Sequence, residues 1–264
     1  MKHSRILIAA AWVALAASSV AATRIAVRPD AGRALNPSDS PAQQACDAGR
    51  ARDAAAIPML LGMLGDETPI APMRCYDGMW TPALETFGHP SPGEQAALAL
   101  AAISTPAVDA LVGALDDRAP AVRRNAAWAI GEVRGGSDVN RDAALTPLIR
   151  LLADRDATVR RAAAFGLSEL KSRDAVEPLI VTLADKDNAV RGMAVFALGE
   201  IRARAAVSQL AQLVVTDSDA EVRRAAAWAL GEIKDERAVD ALMRALNDPR
   251  VRAEARRALN EIGD

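Results

Sequence analysis

The chain has 264 residues, of which 51% are hydrophobic, 25% are charged and only 3% are aromatic, and its formal charge is −2. This composition is too apolar for a disordered chain, and the scarcity of strand-forming aromatic residues favours an all-α protein. A charge so close to zero gives no long-range attraction to nucleic acid or to anionic lipid.

The first 22 residues have the parts of a secretory signal peptide. Lys2 and Arg5 form a basic start, and the apolar run ILIAAAWVALAA that follows is too short to cross a bilayer. We expect cleavage after Ala21 or Ala22 and an exported protein, periplasmic or secreted, with no stable membrane anchor; an uncleaved anchor is the alternative. Without Lys2 and Arg5 the remaining chain has 30 basic and 34 acidic residues.

Residues 23–53 show no clear repeat and are predicted to form an irregular N-terminal segment. They contain Cys46, and Cys75 is the only other cysteine. An even number of cysteines in an exported chain predicts one disulfide, which would close a loop of about 30 residues. Two free thiols are the alternative.

Residues 66–93 are predicted to be an insertion within the first helical repeat. Five prolines oppose a long helix there. The stretch also holds Tyr76, Trp80 and Phe87, together with His89, the only histidine after the signal peptide. It is either an irregular cap over the open apolar end of the structure or an arm whose aromatic residues contact a partner.

A twelve-residue helical phrase recurs along the rest of the chain. Its copies are VRRNAAWAIGEV (122–133), VRRAAAFGLSEL (159–170), VRGMAVFALGEI (190–201), VRRAAAWALGEI (222–233) and VRAEARRALNEI (251–262), with a weaker copy EQAALALAAI (94–103). A shorter helical phrase precedes each copy, at 56–64, 107–115, 144–152, 175–183, 206–214 and 238–246. One pair of helices cannot bury its own apolar face, but a stack can, so residues 54–264 are predicted to form an α-solenoid of about six helix pairs.

Short polar stretches mark the starts of the second helices. An aspartate stands three residues before the first valine of four copies and is expected to cap the helix that follows: Asp156, Asp187, Asp219 and Asp248. Pro120 and Pro249 are expected at the first helical position, which does not need an N–H group.

The phrase D-x-x-V-R-x-x-A-x-x-A-L-G-x-I, almost complete from Asp219 to Ile233, resembles the HEAT-like repeats of the phycobilisome bilin lyases and the consensus of engineered HEAT-type scaffolds. The resemblance covers residues 54–262 and implies a right-handed solenoid whose second helices line the concave surface. It also implies that the arginine after each valine forms a structural ladder between repeats rather than a binding row. These residues are Arg123, Arg160, Arg191, Arg223 and Arg252.

Four aromatic residues stand six positions after the valines, about 140° from the centre of the apolar stripe of each helix. They are Trp128, Phe165, Phe196 and Trp228, with Arg124, Arg161 and Arg224 near the centre of the same face and Glu132, Glu169, Glu200, Glu232 and Glu261 along its edge. Aromatic residues flanked by arginine are typical of protein-binding hot spots. We therefore expect partner contacts on this concave face; packing of the rings against the neighbouring repeat is the alternative.

The sequence predicts a non-enzymatic scaffold or adaptor, a monomer that binds a protein or peptide. It contains no Ser/His/Asp set with a nucleophile-elbow motif and no phosphate loop, and a metal site built on Cys46, Cys75 and His89 would lack a fourth ligand. No catalytic residue, cofactor or metal site is predicted. The alternative, which comes from the family resemblance, is a bilin-lyase-like or chaperone-lyase subunit.

Overall fold

The computed structural model describes residues 40–71, 91–133 and 142–263. These ranges contain α-helices and short 3-10 turns and no strand. The helices are α1 (Pro41–Ala51), α2 (Ile57–Met63), α3 (Pro92–Ile103), α4 (Val108–Ala114), α5 (Pro120–Glu132), α6 (Leu145–Leu151), α7 (Ala157–Leu170), α8 (Val176–Thr182), α9 (Asn188–Ile201), α10 (Val207–Thr216), α11 (Ala220–Ile233), α12 (Val239–Ala245) and α13 (Arg252–Gly263).

From α2 onward, short and long helices alternate in six pairs. The short first helices (α2, α4, α6, α8, α10 and α12) each begin after a 3-10 turn. The longer second helices (α3, α5, α7, α9, α11 and α13) coincide with the copies of the twelve-residue phrase. The predicted all-α solenoid of six helix pairs is confirmed.

Small residues let the second helices approach one another closely. An added Cβ at Gly199 in α9 would lie 3.1 Å from the Cα atom of Ala229 in α11, so only glycine allows this separation of the two helices. Each second helix packs directly on the next, while successive first helices share fewer contacts. The second helices therefore form the tighter of the two rows.

An arginine ladder joins the repeats. Arg191 in α9 donates from Nε to Asp217 Oδ2 and from Nη2 to Asp217 Oδ1, both at 2.8 Å, and its Nη1 donates to the carbonyl oxygen of Asp185 at 3.0 Å. The same pairing joins Arg123 to Asp154, Arg160 to Asp185 and Arg223 to Asp248. The structural role expected for the arginine after each valine is therefore confirmed for these four residues.

The aspartate caps agree with prediction in three of the four cases. Asp156, Asp187 and Asp219 each accept a hydrogen bond from a backbone N–H in the first turn of α7, α9 and α11. The prediction for Asp248 is wrong. Helix α13 begins only at Arg252, and Asp248 accepts instead from Arg223 and from the N–H of Arg250.

Of the two prolines predicted at a first helical position, only one is found there. Pro120 is the first residue of α5, as expected, whereas Pro249 lies in the turn before α13. The link between α12 and α13 has one aspartate, Asp248, where the earlier links have two. Asp248 pairs with the ladder residue Arg223, and α13 begins only after Pro249, so neither residue has its expected place at the helix start.

The sequence predicted an irregular N-terminal segment at residues 23–53, and this prediction is wrong for Pro41–Ala51. Residues Pro41–Ala51 form α1, which begins at Pro41 after Ser40, whose side chain accepts from the N–H of Gln43 at 3.1 Å. Its buried stripe of Ala42, Ala45, Cys46 and Gly49 packs against α3. Helix α1 therefore covers the side of α3 that no earlier repeat covers.

Several predicted features fall outside the described residues: the signal peptide at 1–22, Cys75, and the insertion residues Tyr76, Trp80, Phe87 and His89. Cys46 is buried in α1, and the disulfide stays a prediction. The N–H of Gly93 donates to the carbonyl oxygen of Asp66 at 2.9 Å, which holds the two ends of the insertion together. Within the ranges described, no helix has the length and apolar character needed to cross a membrane.

The ladder gives a first stability prediction. Arg191→Ala should lower the free energy of unfolding by about 2 kcal/mol, because it removes charge-assisted bonds to Asp217, whose side chain is only 3% exposed. The measurement is denaturant unfolding followed by circular dichroism. Arg150→Ala is the matched control, since the Arg150–Asp116 pair also joins two repeats but lies on the surface. Equal losses in the two variants would show that the ladder adds nothing beyond a surface ion pair.

Candidate functional site

The stripe opposite the apolar core side of each second helix lies at three positions, two, six and ten residues after the first valine of the phrase. Residues spaced by four lie on one face of a helix. We call the resulting surface the second-helix face. Its members are Arg124, Trp128 and Glu132 in α5; Arg161, Phe165 and Glu169 in α7; Gly192, Phe196 and Glu200 in α9; and Arg224, Trp228 and Glu232 in α11.

The aromatic residues of this face do not project from it. Trp128 and Trp228 are each only 5% exposed and Phe196 is 9% exposed, while Phe165 is partly buried. The rings of Phe196 and Trp228 stack with their centroids 5.2 Å apart and an angle of 14° between their planes. The expectation of outward-facing rings is therefore wrong, and the structure favours the packing alternative.

The close approach of the second helices explains this burial. Two of the rings lie over a glycine of the preceding second helix: an added Cβ at Gly199 would be 2.6 Å from Trp228 Cζ3, and one at Gly131 would be 2.7 Å from Phe165 Cε1. A side chain that points away from the core of its own helix thus fills the seam between two helices. The aromatic row closes the floor of the second-helix face.

The arginine row lies beside the rings. Arg124 is buried, with Nη1 donating to Glu67 Oε1 at 2.8 Å and Nε donating to Asn125 Oδ1 at 3.2 Å. Arg224 pairs with Glu221 one turn earlier in the same helix. Burial lowers the pKa of Arg161 to about 10, against the opposing effect of Asp187 and with the help of the neighbouring charge of Arg124. The row therefore holds guanidinium groups in surroundings poor in water.

The glutamate row forms the other edge of the face and carries a second set of ion pairs. Glu200 accepts from Lys171 Nζ at 3.1 Å, and Glu232 lies 3.6 Å from Arg202. Lys171 and Arg202 end the preceding second helices in the left-handed conformation, with φ of 53° and 56°. Such exposed pairs contribute at most about 1 kcal/mol each, so the row remains a solvated charged edge.

The first repeat departs from this pattern. Glu94 and Gln95 occupy the positions of Arg124 and Asn125 at the start of α3, and they are only 4% and 3% exposed. Burial raises the pKa of Glu94 to about 7, against the lowering effect of Arg124, and Glu67 adds to the rise. Sequence reasoning passed over these two residues, although the phrase EQAALALAAI shows a polar pair in place of the Val-Arg start.

The second-helix face carries a carboxylate on each of its four helices and a guanidinium group on three of them, α5, α7 and α11, beside the largely buried rings. Among residues 40–71, 91–133 and 142–263, no group of three histidine, cysteine or acidic residues could hold a metal ion.

Stacked helix pairs joined by an arginine–aspartate ladder define an α-helical repeat protein of the kind typical of protein-interaction modules. The family model described as HEAT repeats matches residues 80–168, 145–219 and 176–260, and the chain belongs to this family. A search of curated proteins finds no significant match.

Two solved structures share the architecture with TM-scores above 0.5, and a third matches more weakly. An engineered protein is similar at 25% identity and a TM-score of 0.52, over 78% of this chain and 98% of its own. A designed armadillo repeat protein in complex with the peptide (KR)4 is similar at 21% identity and a TM-score of 0.51, over 78% of this chain and 99% of its own. The phycocyanin lyase complex of CpcE and CpcF from Nostoc sp. is similar at 20% identity and a TM-score of 0.45, over 90% and 97% of the two chains.

Proposed function

We propose that this HEAT-repeat protein is an exported, non-enzymatic scaffold or adaptor that binds a protein or peptide on the second-helix face. The observation that carries the proposal is the pair of charged rows along this face. The glutamate row runs over four successive second helices and the arginine row over three of them, α5, α7 and α11, so one extended partner can contact several repeats at once.

Arg161 and Arg224 do not belong to the ladder. The ladder arginines, one position earlier in each phrase, already join the repeats, and the capping aspartates already satisfy the helix starts. The side chains of Arg161 and Arg224 remain partly accessible on the second-helix face. Arginine is enriched among the residues that dominate binding energy, and its planar fork of N–H donors suits carboxylate and carbonyl oxygens.

The remaining parts of the proposal rest on the sequence. The basic start and the short apolar run of residues 1–22 support export. The lack of a recognisable nucleophile set or phosphate loop in the sequence supports a role in binding rather than in catalysis. A partner at the second-helix face needs no cofactor.

The test uses a paired arginine variant. The double variant Arg161→Ala/Arg224→Ala should bind the partner at least about tenfold more weakly, since hot-spot residues contribute about 2 kcal/mol or more. Proteins captured from an extract of exported proteins by the immobilised wild-type chain would be identified and then titrated with each variant.

The matched control is Arg150→Ala/Arg173→Ala, which removes two exposed arginines near the first helices α6 and α8. It should bind as the wild type does, and thermal unfolding should show both variants folded. If every captured protein binds the two double variants equally, the partner does not use the second-helix face and the proposal is wrong.

A further inference from the structure

A buried polar cluster lies at the N-terminal end of the second-helix face. Glu94 in the first turn of α3 lies near Arg124 of α5 and Glu67 of the loop after α2, and Arg124 donates to both Glu67 and Asn125; Gln95 follows Glu94 in the same turn of α3. Both α3 side chains are more than nine-tenths buried. Neither belongs to the arginine ladder, and neither belongs to the aromatic row.

Local backbone contacts hold the loop over the start of α3. Ser91 Oγ accepts from the N–H of Glu94 at 3.2 Å and so caps the helix. An added Cβ at Gly93 would lie 2.6 Å from the carbonyl oxygen of Leu64, so the chain approaches here as only glycine permits. This contact brings Glu67 to Arg124.

Two acceptor atoms in the cluster lack a donor. Within the part of the chain that the structure describes, Glu94 Oε2 and Gln95 Oε1 are buried and accept no hydrogen bond. The amide of Asn125 donates instead to the carbonyl oxygen of Leu64 at 2.7 Å, and Arg124 Nη1 donates to Glu67. Buried acceptors without donors are rare and costly, and such atoms often mark the place of a missing ligand.

The charges of the cluster point to the kind of ligand. When Glu94 is ionised, two carboxylates, Glu67 and Glu94, face one guanidinium group, that of Arg124. The cluster is then short of one positive charge. The pKa of Glu94, raised to about 7 by burial, is consistent with this shortage, since a neighbouring cation would favour its ionised form.

We propose that this cluster binds a lysine or arginine side chain of the protein's partner. The inference rests on the proposed function, in which the partner lies along the second-helix face. An ammonium or guanidinium group supplies both the N–H donors that Glu94 Oε2 and Gln95 Oε1 lack and the missing positive charge. Glu67, whose side chain is 57% exposed, is the more accessible of the two carboxylates in the cluster.

The experiment titrates the full, isotope-labelled chain with three small probes. They are the N-acetyl N-methylamides of arginine, lysine and citrulline; the citrulline compound has the shape of the arginine compound without its charge. We expect the side-chain amide signal of Gln95 to shift with the arginine or lysine probe and not with the citrulline probe. The pKa of Glu94, read from its carboxyl carbon, should fall when a cationic probe binds.

Glu94→Gln should weaken the binding of the cationic probes at least tenfold. The amide keeps the shape of the side chain and removes a buried charge, so this variant should remain folded. Glu236→Gln is the matched control, since it removes an exposed carboxylate far along the stack, before α12, and should bind the probes as the wild type does.

Each outcome decides between the two proposals. If neither cationic probe shifts Gln95, or if citrulline shifts it equally, the site for a basic side chain is wrong, whatever the arginine variants show in partner capture. If the probes bind as expected but the captured partner binds the Arg161→Ala/Arg224→Ala variant as tightly as the control variant, the site for a basic side chain is supported and the proposed function of the second-helix face is wrong.

Discussion

Replacing Trp228 with alanine is expected to lower the free energy of unfolding by about 3–5 kcal/mol, the usual cost of truncating a buried tryptophan. The indole is 5% exposed, stacks on Phe196 and lies over Gly199 of the preceding repeat. Its removal therefore opens a cavity between α9 and α11. Because repeat stability depends on interfaces between neighbours, the loss should be felt by both repeats.

The measurement compares denaturant unfolding of three variants. Leu230→Ala, which truncates a fully buried side chain of the same helix, should cost about 2–5 kcal/mol. Met243→Ala, which truncates a side chain that is 54% exposed, should change stability by less than about 0.5 kcal/mol. A Trp228 variant that resembles Met243→Ala would mean that the ring does not pack in the seam.

This prediction differs from the one that the sequence supported, and the reason is geometric. A helical wheel places Trp228 away from the core of its own helix, but it says nothing about the distance to the next helix. The glycine three residues after each of Trp128, Phe196 and Trp228 was the available signal, since glycine in a helix interior indicates close approach of another element. An aromatic residue followed by such a glycine predicts a ring that packs between two helices rather than one that faces solvent.

The correction changes how partner binding should be tested. A Trp128 or Trp228 variant that fails to bind would have lost part of its fold, so the result would not identify a contact. Arg161 and Arg224 lie on the same face and are only partly buried. Their substitution tests recognition without opening the seam.

For other parts of the fold, the sequence predicted the helices and the ladder arginines but not the residues that the arginines contact. The period of the valine phrase fixed the six helix pairs, and the arginine after each valine was correctly given to the ladder. Its partners Asp154, Asp185 and Asp217 were not identified, although each stands five residues before a valine. The sequence shows the repeat of these aspartates, but only the stacking of one repeat on the next brings them to the arginines.

The N-terminal part of the stack, α1 and the first repeat, was the hardest to predict, because its residues depart from the phrase. Helix α1 lacks the Val-Arg start and was assigned to an irregular segment, although Ala42, Ala45, Cys46 and Gly49 follow a helical spacing. Glu94 and Gln95 looked like an ordinary polar helix start. Their burial depends on Gly93, which brings the loop after α2 over them.

A chain that ends at Lys234 is expected to melt at least about 6 °C lower or to aggregate. It lacks α12 and α13, and with them the fully buried side chains of Leu242, Val251 and Ala255. It also exposes the face of α11 where Gly231 lies close to Ala258. A loss above about 3 kcal/mol lowers Tm by about 2–4 °C per kcal/mol in a chain of this size.

The reason for the large effect is that α13 is built to end the stack. Arg256 and Asn260 are exposed in α13, at positions where α11 has the buried Ala227 and Gly231. A charged side chain there stops another helix from packing, as a terminal repeat requires. Thermal unfolding and light scattering of the truncated chain would be compared with a control that ends at Ile262 and keeps the whole buried side of α13. Unchanged melting and solubility of the chain ending at Lys234 would show that α11, not α13, closes the stack.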